Sequence, residues 1–149
     1  MKIQKLLIAT VAGTVFLFLI DWVWYGMLMK DSMVMPNARV DANGQHMPDF
    51  MWLVISYLVF SLAFVSIYGK LSGGSSKVNS GLNYGIWVGV MVGLAMNLMW
   101  YSLTTMMTMN QVLMDGAYSI VKYIILGIIV AYLSAEAAGD RGGGGKTPG

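Results

Sequence analysis

Cysteine is missing from the sequence and charged residues are scarce. Without cysteine the chain forms no disulfide and offers no thiolate for metal binding or nucleophilic attack. Charged residues make up 11% of 149 residues, whereas a soluble domain carries about 25%. The net charge is only +2, and no basic run is interleaved with aromatic residues, so the composition argues against nucleic acid as a partner.

Catalytic motifs are also missing. The sequence contains no H-E-x-x-H, G-x-S-x-G or P-loop pattern, and "GGSSK" lacks the spacing of a phosphate-binding loop. Most of the seven acidic residues lie between apolar runs, which leaves Asp21 as the one catalytic candidate. A single carboxyl group does not make a mechanism. We therefore expect a non-enzymatic protein without a cofactor.

Apolar residues dominate what is present, at 57% of the chain. They form four runs, at about residues 6–29, 50–68, 82–108 and 117–135. Each run is close to the roughly 20 residues that a helix needs to cross about 30 Å of hydrocarbon. The sequence predicts an all-α bundle of four transmembrane helices over residues 1–136, followed by a disordered Gly-rich cytoplasmic tail at 137–149.

The positions of the basic residues predict the orientation in the membrane. With the N-terminus in the cytoplasm, six cations lie inside, namely Lys2, Lys5, Lys70, Lys77, Arg141 and Lys146. Only Lys30 and Arg39 then lie in the outer links. We therefore expect a multi-pass protein of the cell inner membrane with both termini inside.

Small residues mark a packing face on the third run. Gly81, Gly85, Gly89 and Gly93 are spaced four residues apart, which places them along one ridge of a helix. The fourth run offers Gly127 and Ala131. In lipid, such residues let two helix backbones approach closely. Two interpretations are open: the ridge packs within the chain, or it forms the seam of a homodimer.

Two charged residues lie inside apolar runs, Asp21 in "LFLIDWVWYGM" and Lys122 in the fourth run. Both should lie in the outer half of the membrane, and Asn97 should reach the same level. Pairing opposite charges lowers the cost of burying them in lipid, which is on the order of 3 kcal/mol for a charge at the bilayer centre. We predict a polar-aromatic cluster of Asp21, Tyr25, Asn97, Tyr101 and Lys122.

Three interpretations of this cluster compete. It is a structural clamp that fixes the helix register, a polar vestibule that binds a small ligand or passes a proton, or a site where Lys122 extends to the interface.

Methionine is abundant, with 14 residues. Thioethers suit Cu(I) as ligands. Three M-x-M pairs lie on the predicted outer side, and a lone histidine with a methionine beside it lies there too. These residues are Met27, Met29, Met33, Met35, Met107, Met109, His46 and Met47. An outer copper(I) site is one hypothesis. The simpler one is that methionine fills apolar helices and that His46 is solvated, so no metal ligands are assigned.

Three segments carry a family resemblance: "WVWYG", "GLNYGIWVGVMVG" and "LMDGAYSIVKYIILGIIVAYL". With these the chain resembles, up to about Leu133, the small four-helix bacterial membrane proteins of the domain of unknown function 1761 family. The resemblance implies a four-helix inner-membrane protein with no assigned activity. Where a small residue is expected before the aromatic pair, this chain has Asp21, so no functional residue is carried over from the family.

The sequence therefore leads to a non-enzymatic membrane protein, either an accessory subunit or a binder of a small ligand or lipid in an outer polar-aromatic pocket. The alternative is a small oligomeric transporter or channel, because 149 residues can line a pathway only by self-association or with partners. The expected partners are membrane lipid and either further copies of the chain or a larger membrane complex.

Overall fold

The computed structural model describes residues 3–30, 39, 42–44, 48–72, 78–105 and 107–139. Within these ranges the chain forms helices and no strand. The four helices are α1 (Ile3–Leu28), α2 (Phe50–Leu71), α3 (Val78–Leu103) and α4 (Met109–Gly139). The predicted all-α bundle of four membrane-spanning helices is confirmed.

Each helix is long and apolar enough to cross a membrane. The 26 residues of α1 extend over about 39 Å at 1.5 Å per residue. Large apolar side chains cover the outside of the bundle, and Trp87 on α3 is 68% exposed. Soluble monomers do not expose apolar surface on this scale, whereas lipid tails solvate it well.

Side-chain caps explain where two of the helices begin. Asp49 precedes α2, and its carboxylate accepts a hydrogen bond from the backbone N–H of Trp52. Thr108 precedes α4 and forms a reciprocal pair with Gln111: the Gln111 side chain accepts from the Thr108 N–H at 2.7 Å, and Thr108 Oγ1 accepts from the Gln111 N–H at 3.3 Å. This is a capping box, which satisfies N–H groups at a helix start.

The capping box corrects one prediction. Helix α4 begins at Met109 and not near residue 117, so "NQVLMDG", which lies between the third and fourth predicted runs, forms the first two turns of a helix. The other end of α4 extends to Gly139, because "AEAA" consists of strong helix formers. Residues 137–139 of the predicted tail are therefore helical, and residues 140–149 lie outside the described part of the chain.

Helix α4 is central and packs against α1, α2 and α3, while α2 also packs against α1. The apolar core lies between these helices and includes Leu17, Phe64, Val65, Leu126, Val130 and Ala131. Aromatic side chains join α2 to α3, where the rings of Phe64 and Tyr84 have centroids 4.6 Å apart. The core thereby holds α1 and α4 at a fixed register, which determines the geometry of the polar side chains they carry.

Two helices contain a widened, π-helical turn: Trp24–Leu28 at the end of α1 and Gly89–Ala95 within α3. Four residues of an α-helix turn by about 400°, which is 40° more than a full turn, so a long row of residues spaced four apart gradually leaves one face of the helix. A π-turn bonds residue i to i+5 and holds more residues per turn, which reverses this drift. The turn in α3 therefore keeps Gly93 and Asn97 in line with the glycines that precede it and directed toward α4.

Candidate functional site

A cluster of polar side chains lies inside the half of the bundle where α1 and α3 end and α2 and α4 begin. Its members come from all four helices: Asp21 and Tyr25 on α1, Tyr57 on α2, Asn97 on α3, and Asp115, Tyr118 and Lys122 on α4. Hydrogen bonds join them into two groups, each centred on one carboxylate. We refer to these seven residues as the polar cluster.

Asp21 is the centre of the first group. Its Oδ1 accepts from Lys122 Nζ at 2.8 Å and from the Tyr118 hydroxyl at 2.5 Å. Its Oδ2 accepts from the Tyr57 hydroxyl at 2.7 Å and from Lys122 at 3.2 Å. Both oxygens are fully occupied, which offsets the cost of burying this carboxylate in an apolar span. The geometry is that of a clamp between α1, α2 and α4.

Lys122 is 6% exposed and points into the bundle. Besides the ion pair with Asp21, its Nζ lies 5.0 Å from the ring centre of Tyr118 and 5.1 Å from that of Tyr123. Aromatic rings attract a cation over their faces, most strongly where water is excluded. The lysine is thus held by one carboxylate and two rings, and it does not extend to the interface.

Asp115 is the centre of the second group and was missed by the sequence prediction. It is 8% exposed, and it accepts hydrogen bonds from the Tyr25 hydroxyl on Oδ1 and from Asn97 Nδ2 on Oδ2. Asn97 therefore joins the cluster through Asp115 and not through Asp21. Both donors are uncharged, so among the described residues this carboxylate has no cationic partner.

The sequence contained a signal that identifies Asp115. Thr108-x-x-Gln111 is the pattern of a capping box, and it places the start of the helix just after Thr108. Asp115 and Lys122 then lie seven residues apart on one helix, a separation that returns to the same face after about two turns. The Asp-Gly pair at this point favours a turn, so local preference alone does not indicate a helix here.

Aromatic rings cover the cluster on the α1 side. Trp24 stacks on Tyr118 with ring centres 4.2 Å apart, and Tyr25 meets the same ring edge-on at 5.9 Å. The indole N–H of Trp24 is buried without a partner among the described residues. Tyr25 is 38% exposed, so its ring forms the boundary between Asp115 and the outside of the bundle.

Tyr101 does not join the cluster that the sequence predicted for it. It lies near the end of α3 and is 41% exposed, one turn beyond Asn97. The sequence prediction placed Tyr101 on the inner face because it continues the row of residues spaced four apart. Over Met96–Leu103 the helix is α-helical again, so Tyr101 is rotated by about 40° from the direction of Asn97. Tyr57 and Tyr118 provide the tyrosines that contact Asp21.

The glycine row packs against α4 within the chain. A Cβ added to Gly81 would lie 2.3 Å from Gly127 O, and one added to Gly85 would lie 2.2 Å from Tyr123 O. A Cβ added to Gly89 would lie 2.6 Å from Ile120 Cα. Gly93 faces Ser119, and Ala131 is fully buried opposite Gly81. Helix α4 thus occupies the face that a homodimer seam would need. The close approach also fixes α4 relative to α3, and with it the contact between Asn97 and Asp115.

Several residues of the copper hypothesis, namely Met33, Met35, His46 and Met47, lie outside the described part of the chain. Met27 and Met109 are exposed at the end of the bundle that carries the polar cluster. Among the residues that the structure describes, no three His, Cys, Asp or Glu side chains come together as a metal-binding group.

A family model described as "Protein of unknown function (DUF1761)" matches residues 8–131. This range contains every member of the polar cluster and the whole glycine row. The chain belongs to this family. No curated protein matches the sequence, and no solved structure matches the fold. Membership of the DUF1761 family confirms the predicted resemblance.

Proposed function

We propose that this DUF1761 protein is a non-enzymatic integral membrane protein that binds an ammonium-bearing small molecule or lipid headgroup beside Asp115 and Tyr25. The observation that supports the proposal is the charge balance of the polar cluster. It holds two buried carboxylates, Asp21 and Asp115, but one buried cation, Lys122, and that cation is paired with Asp21. A carboxylate buried without an opposite charge is costly in an apolar medium, and a cationic ligand removes this cost.

The surroundings of Asp115 suit an ammonium group. The carboxylate accepts one hydrogen bond on each oxygen and has room for further donors, since a carboxylate offers about four acceptor sites. The rings of Tyr25, Tyr118 and Trp24 lie alongside, and aromatic faces attract ammonium groups. Tyr25 is partly exposed, so a ligand reaches Asp115 when this ring moves aside.

We also propose that the protein lies in the cell inner membrane with both termini in the cytoplasm. An even number of spans places both termini on the same side of the membrane. Lys70 lies in the last turn of α2, at the opposite end of this helix from Lys30 and Arg39. The excess of basic residues in the N-terminal, second-link and C-terminal segments supports this orientation. The ligand site then faces the outer leaflet.

Native mass spectrometry of the purified chain in a mild detergent tests ligand binding. Phosphatidylethanolamine and phosphatidylglycerol are compared as lipids, and ethanolamine and glycerol as their free headgroups. We expect phosphatidylethanolamine or ethanolamine to bind, and Asp115→Asn to weaken binding about tenfold, the effect of losing one charged hydrogen bond. Asp49→Asn, which removes the same charge outside the bundle, should bind like the wild type.

The outcomes separate the possible sources of the ammonium group. Binding of the lipid without binding of ethanolamine identifies a lipid site, and binding of both identifies a small-amine site. Equal binding of phosphatidylethanolamine and phosphatidylglycerol, or an unaltered Asp115→Asn variant, contradicts the proposal. The same spectra count the copies of the chain, and a strict monomer contradicts the alternative of a small oligomeric transporter.

A further inference from the structure

The two oxygens of Asp115 are held by donors of different mobility. Oδ1 accepts a hydrogen bond from the Tyr25 hydroxyl, and Oδ2 accepts one from Asn97 Nδ2. Asn97 follows Gly93 by one turn of α3, and Gly93 packs closely against Ser119 of α4, so Asn97 is fixed relative to Asp115. Tyr25 lies in the last turns of α1 and is partly exposed. A ligand that reaches Asp115 therefore displaces the Tyr25 hydroxyl and leaves the bond to Asn97 in place.

The displaced hydroxyl sets a requirement on the ligand. When Tyr25 moves aside, Asp115 Oδ1 loses its donor, and a buried charged acceptor without a donor is costly. A ligand restores this bond only when it brings a hydrogen-bond donor to the same oxygen. A primary ammonium carries three N–H donors, as the lysine side chain does, which serve Oδ1 and the remaining acceptor position of Oδ2. A quaternary ammonium carries no N–H group, so it leaves Oδ1 without a hydrogen bond.

The aromatic rings near Asp115 do not form an open cage for a quaternary ammonium. Trp24 lies parallel to the Tyr118 ring, with centres 4.2 Å apart, and covers one of its faces. Lys122 Nζ lies over the same ring, 5.0 Å from its centre, and takes up the other face. Cages for quaternary ammonium ligands offer them several aromatic faces, and Tyr118 has neither face free. Trp24 and Tyr25 add attraction for a cation that hydrogen bonds to Asp115 hold in place.

We propose that the site beside Asp115 selects a primary ammonium over a quaternary one, and that the ligand takes the place of the Tyr25 hydroxyl. This selectivity rests on the proposed function, because it specifies the ligand of the same site. Among lipids the site then binds the ethanolamine headgroup in preference to the choline headgroup, and among free amines it binds ethanolamine in preference to choline. The two lipids carry the same charges, so the site distinguishes them by N–H groups against methyl groups.

A methylation series of one lipid tests the selectivity on the wild-type chain. Native mass spectrometry in a mild detergent compares phosphatidylethanolamine, its N-monomethyl and N,N-dimethyl derivatives and phosphatidylcholine, all with the same acyl chains. Ethanolamine is compared with choline in the same way. We expect phosphatidylcholine to bind at least about tenfold more weakly than phosphatidylethanolamine, the effect of losing one hydrogen bond to a charged group. The dimethyl lipid keeps one N–H group and should bind more tightly than phosphatidylcholine.

Tyr25→Phe tests the exchange itself, because it leaves Asp115 Oδ1 without this donor before any ligand arrives. The variant no longer breaks a hydrogen bond when it binds a cation, so it should bind phosphatidylethanolamine about tenfold more tightly than the wild type. Phosphatidylcholine should gain by the same factor, and the ratio of the two affinities should not change. Tyr101→Phe is the matched control, since it removes the same atom from an exposed tyrosine of α3 and should leave both affinities unchanged.

The outcomes separate the selectivity from the proposed function. Equal binding of phosphatidylethanolamine and phosphatidylcholine, each tighter than that of phosphatidylglycerol, overturns the selectivity and leaves ammonium binding in place. Phosphatidylethanolamine and ethanolamine that bind no better than phosphatidylglycerol and glycerol overturn both. A Tyr25→Phe variant that binds phosphatidylethanolamine no more tightly than the wild type shows that the ligand does not replace the Tyr25 hydroxyl, and it overturns the exchange.

Discussion

Lys122 on α4 places its ammonium nitrogen 2.8 Å from a carboxylate oxygen of Asp21 on α1, 101 positions earlier in the chain. Both side chains are about 7% exposed, and the two hydroxyls of Tyr57 and Tyr118 bond to the same carboxylate. Opposite charges from the first and last helices therefore meet within the apolar part of the bundle. This pair joins the two ends of the fold.

The pair should be energetically coupled. Asp21→Asn and Lys122→Met each leave a buried group without its partner and should lower the free energy of unfolding by about 3–5 kcal/mol. The double variant should lose less than the sum of the two, by about 0.5–3 kcal/mol. Unfolding titrations in mixed micelles measure these values. Asp49→Asn combined with Lys70→Met, at opposite ends of α2, should be additive, and additivity at Asp21 and Lys122 would show that they do not interact.

Gly85 should not tolerate a methyl group. In Gly85→Ala the new Cβ would lie 2.2 Å from the backbone oxygen of Tyr123, and a helix backbone cannot yield locally. We expect a loss of about 3 kcal/mol in unfolding free energy, at the upper end of overpacking costs. Gly116→Ala is the control, because its Cβ meets the tip of the Leu94 side chain at 3.1 Å. Similar midpoints for the two variants in thermal unfolding would contradict the close packing of α3 on α4.

Two tyrosines near the cluster should behave differently. Tyr25→Phe removes the hydroxyl that bonds to Asp115 and should cost about 1.5–3 kcal/mol, as for hydrogen bonds to charged groups. Tyr101→Phe alters an exposed side chain at the end of α3 and should change stability by less than about 0.5 kcal/mol. Unfolding titrations of both variants check this order. Equal losses would return Tyr101 to the cluster that the sequence predicted.

The absence of cysteine makes the orientation simple to measure. Lys30 follows the end of α1 and Lys70 lies near the end of α2, so Lys30→Cys and Lys70→Cys place single thiols at opposite ends of the bundle. With both termini in the cytoplasm, a membrane-impermeant maleimide added to intact bacterial cells should label Lys30→Cys, and Lys70→Cys should react only after lysis. The parent chain serves as the blank. Labelling of Lys70→Cys alone in intact cells would contradict the proposed orientation.

The helices could be predicted because hydropathy depends on local sequence. Four apolar runs of membrane-spanning length establish the four spans, and the depths of Asp21 and Lys122 within their runs predict that they meet. The start of α4 could not be placed by hydropathy, since the segment after Met109 contains polar residues and an Asp-Gly pair typical of turns. The capping box at Thr108 decides this boundary, and capping depends on a few side-chain atoms.

The tyrosines of the cluster are a different case. Tyr57 and Tyr118 are ordinary aromatic residues near the predicted outer end of their helices, where interfacial rings are common. Only the rotation of α2 and α4 about their axes shows that both hydroxyls point toward Asp21. That rotation is set by packing along the whole length of each helix, including the glycine row against α4, and no short sequence pattern records it.

The widened turn at Gly89–Ala95 means that α3 holds an extra residue for the height it covers. Deleting one amino acid there would let an ordinary α-helix form, and the residues beyond the deletion would keep their direction, because the extra residue and the widened turn disappear together. Asn97 would still face Asp115. In this family, the loss of one residue should therefore be tolerated at that turn, whereas the same loss in an α-helical part of α3 would rotate everything beyond it by about 100° and dismantle half of the buried hydrogen-bond network.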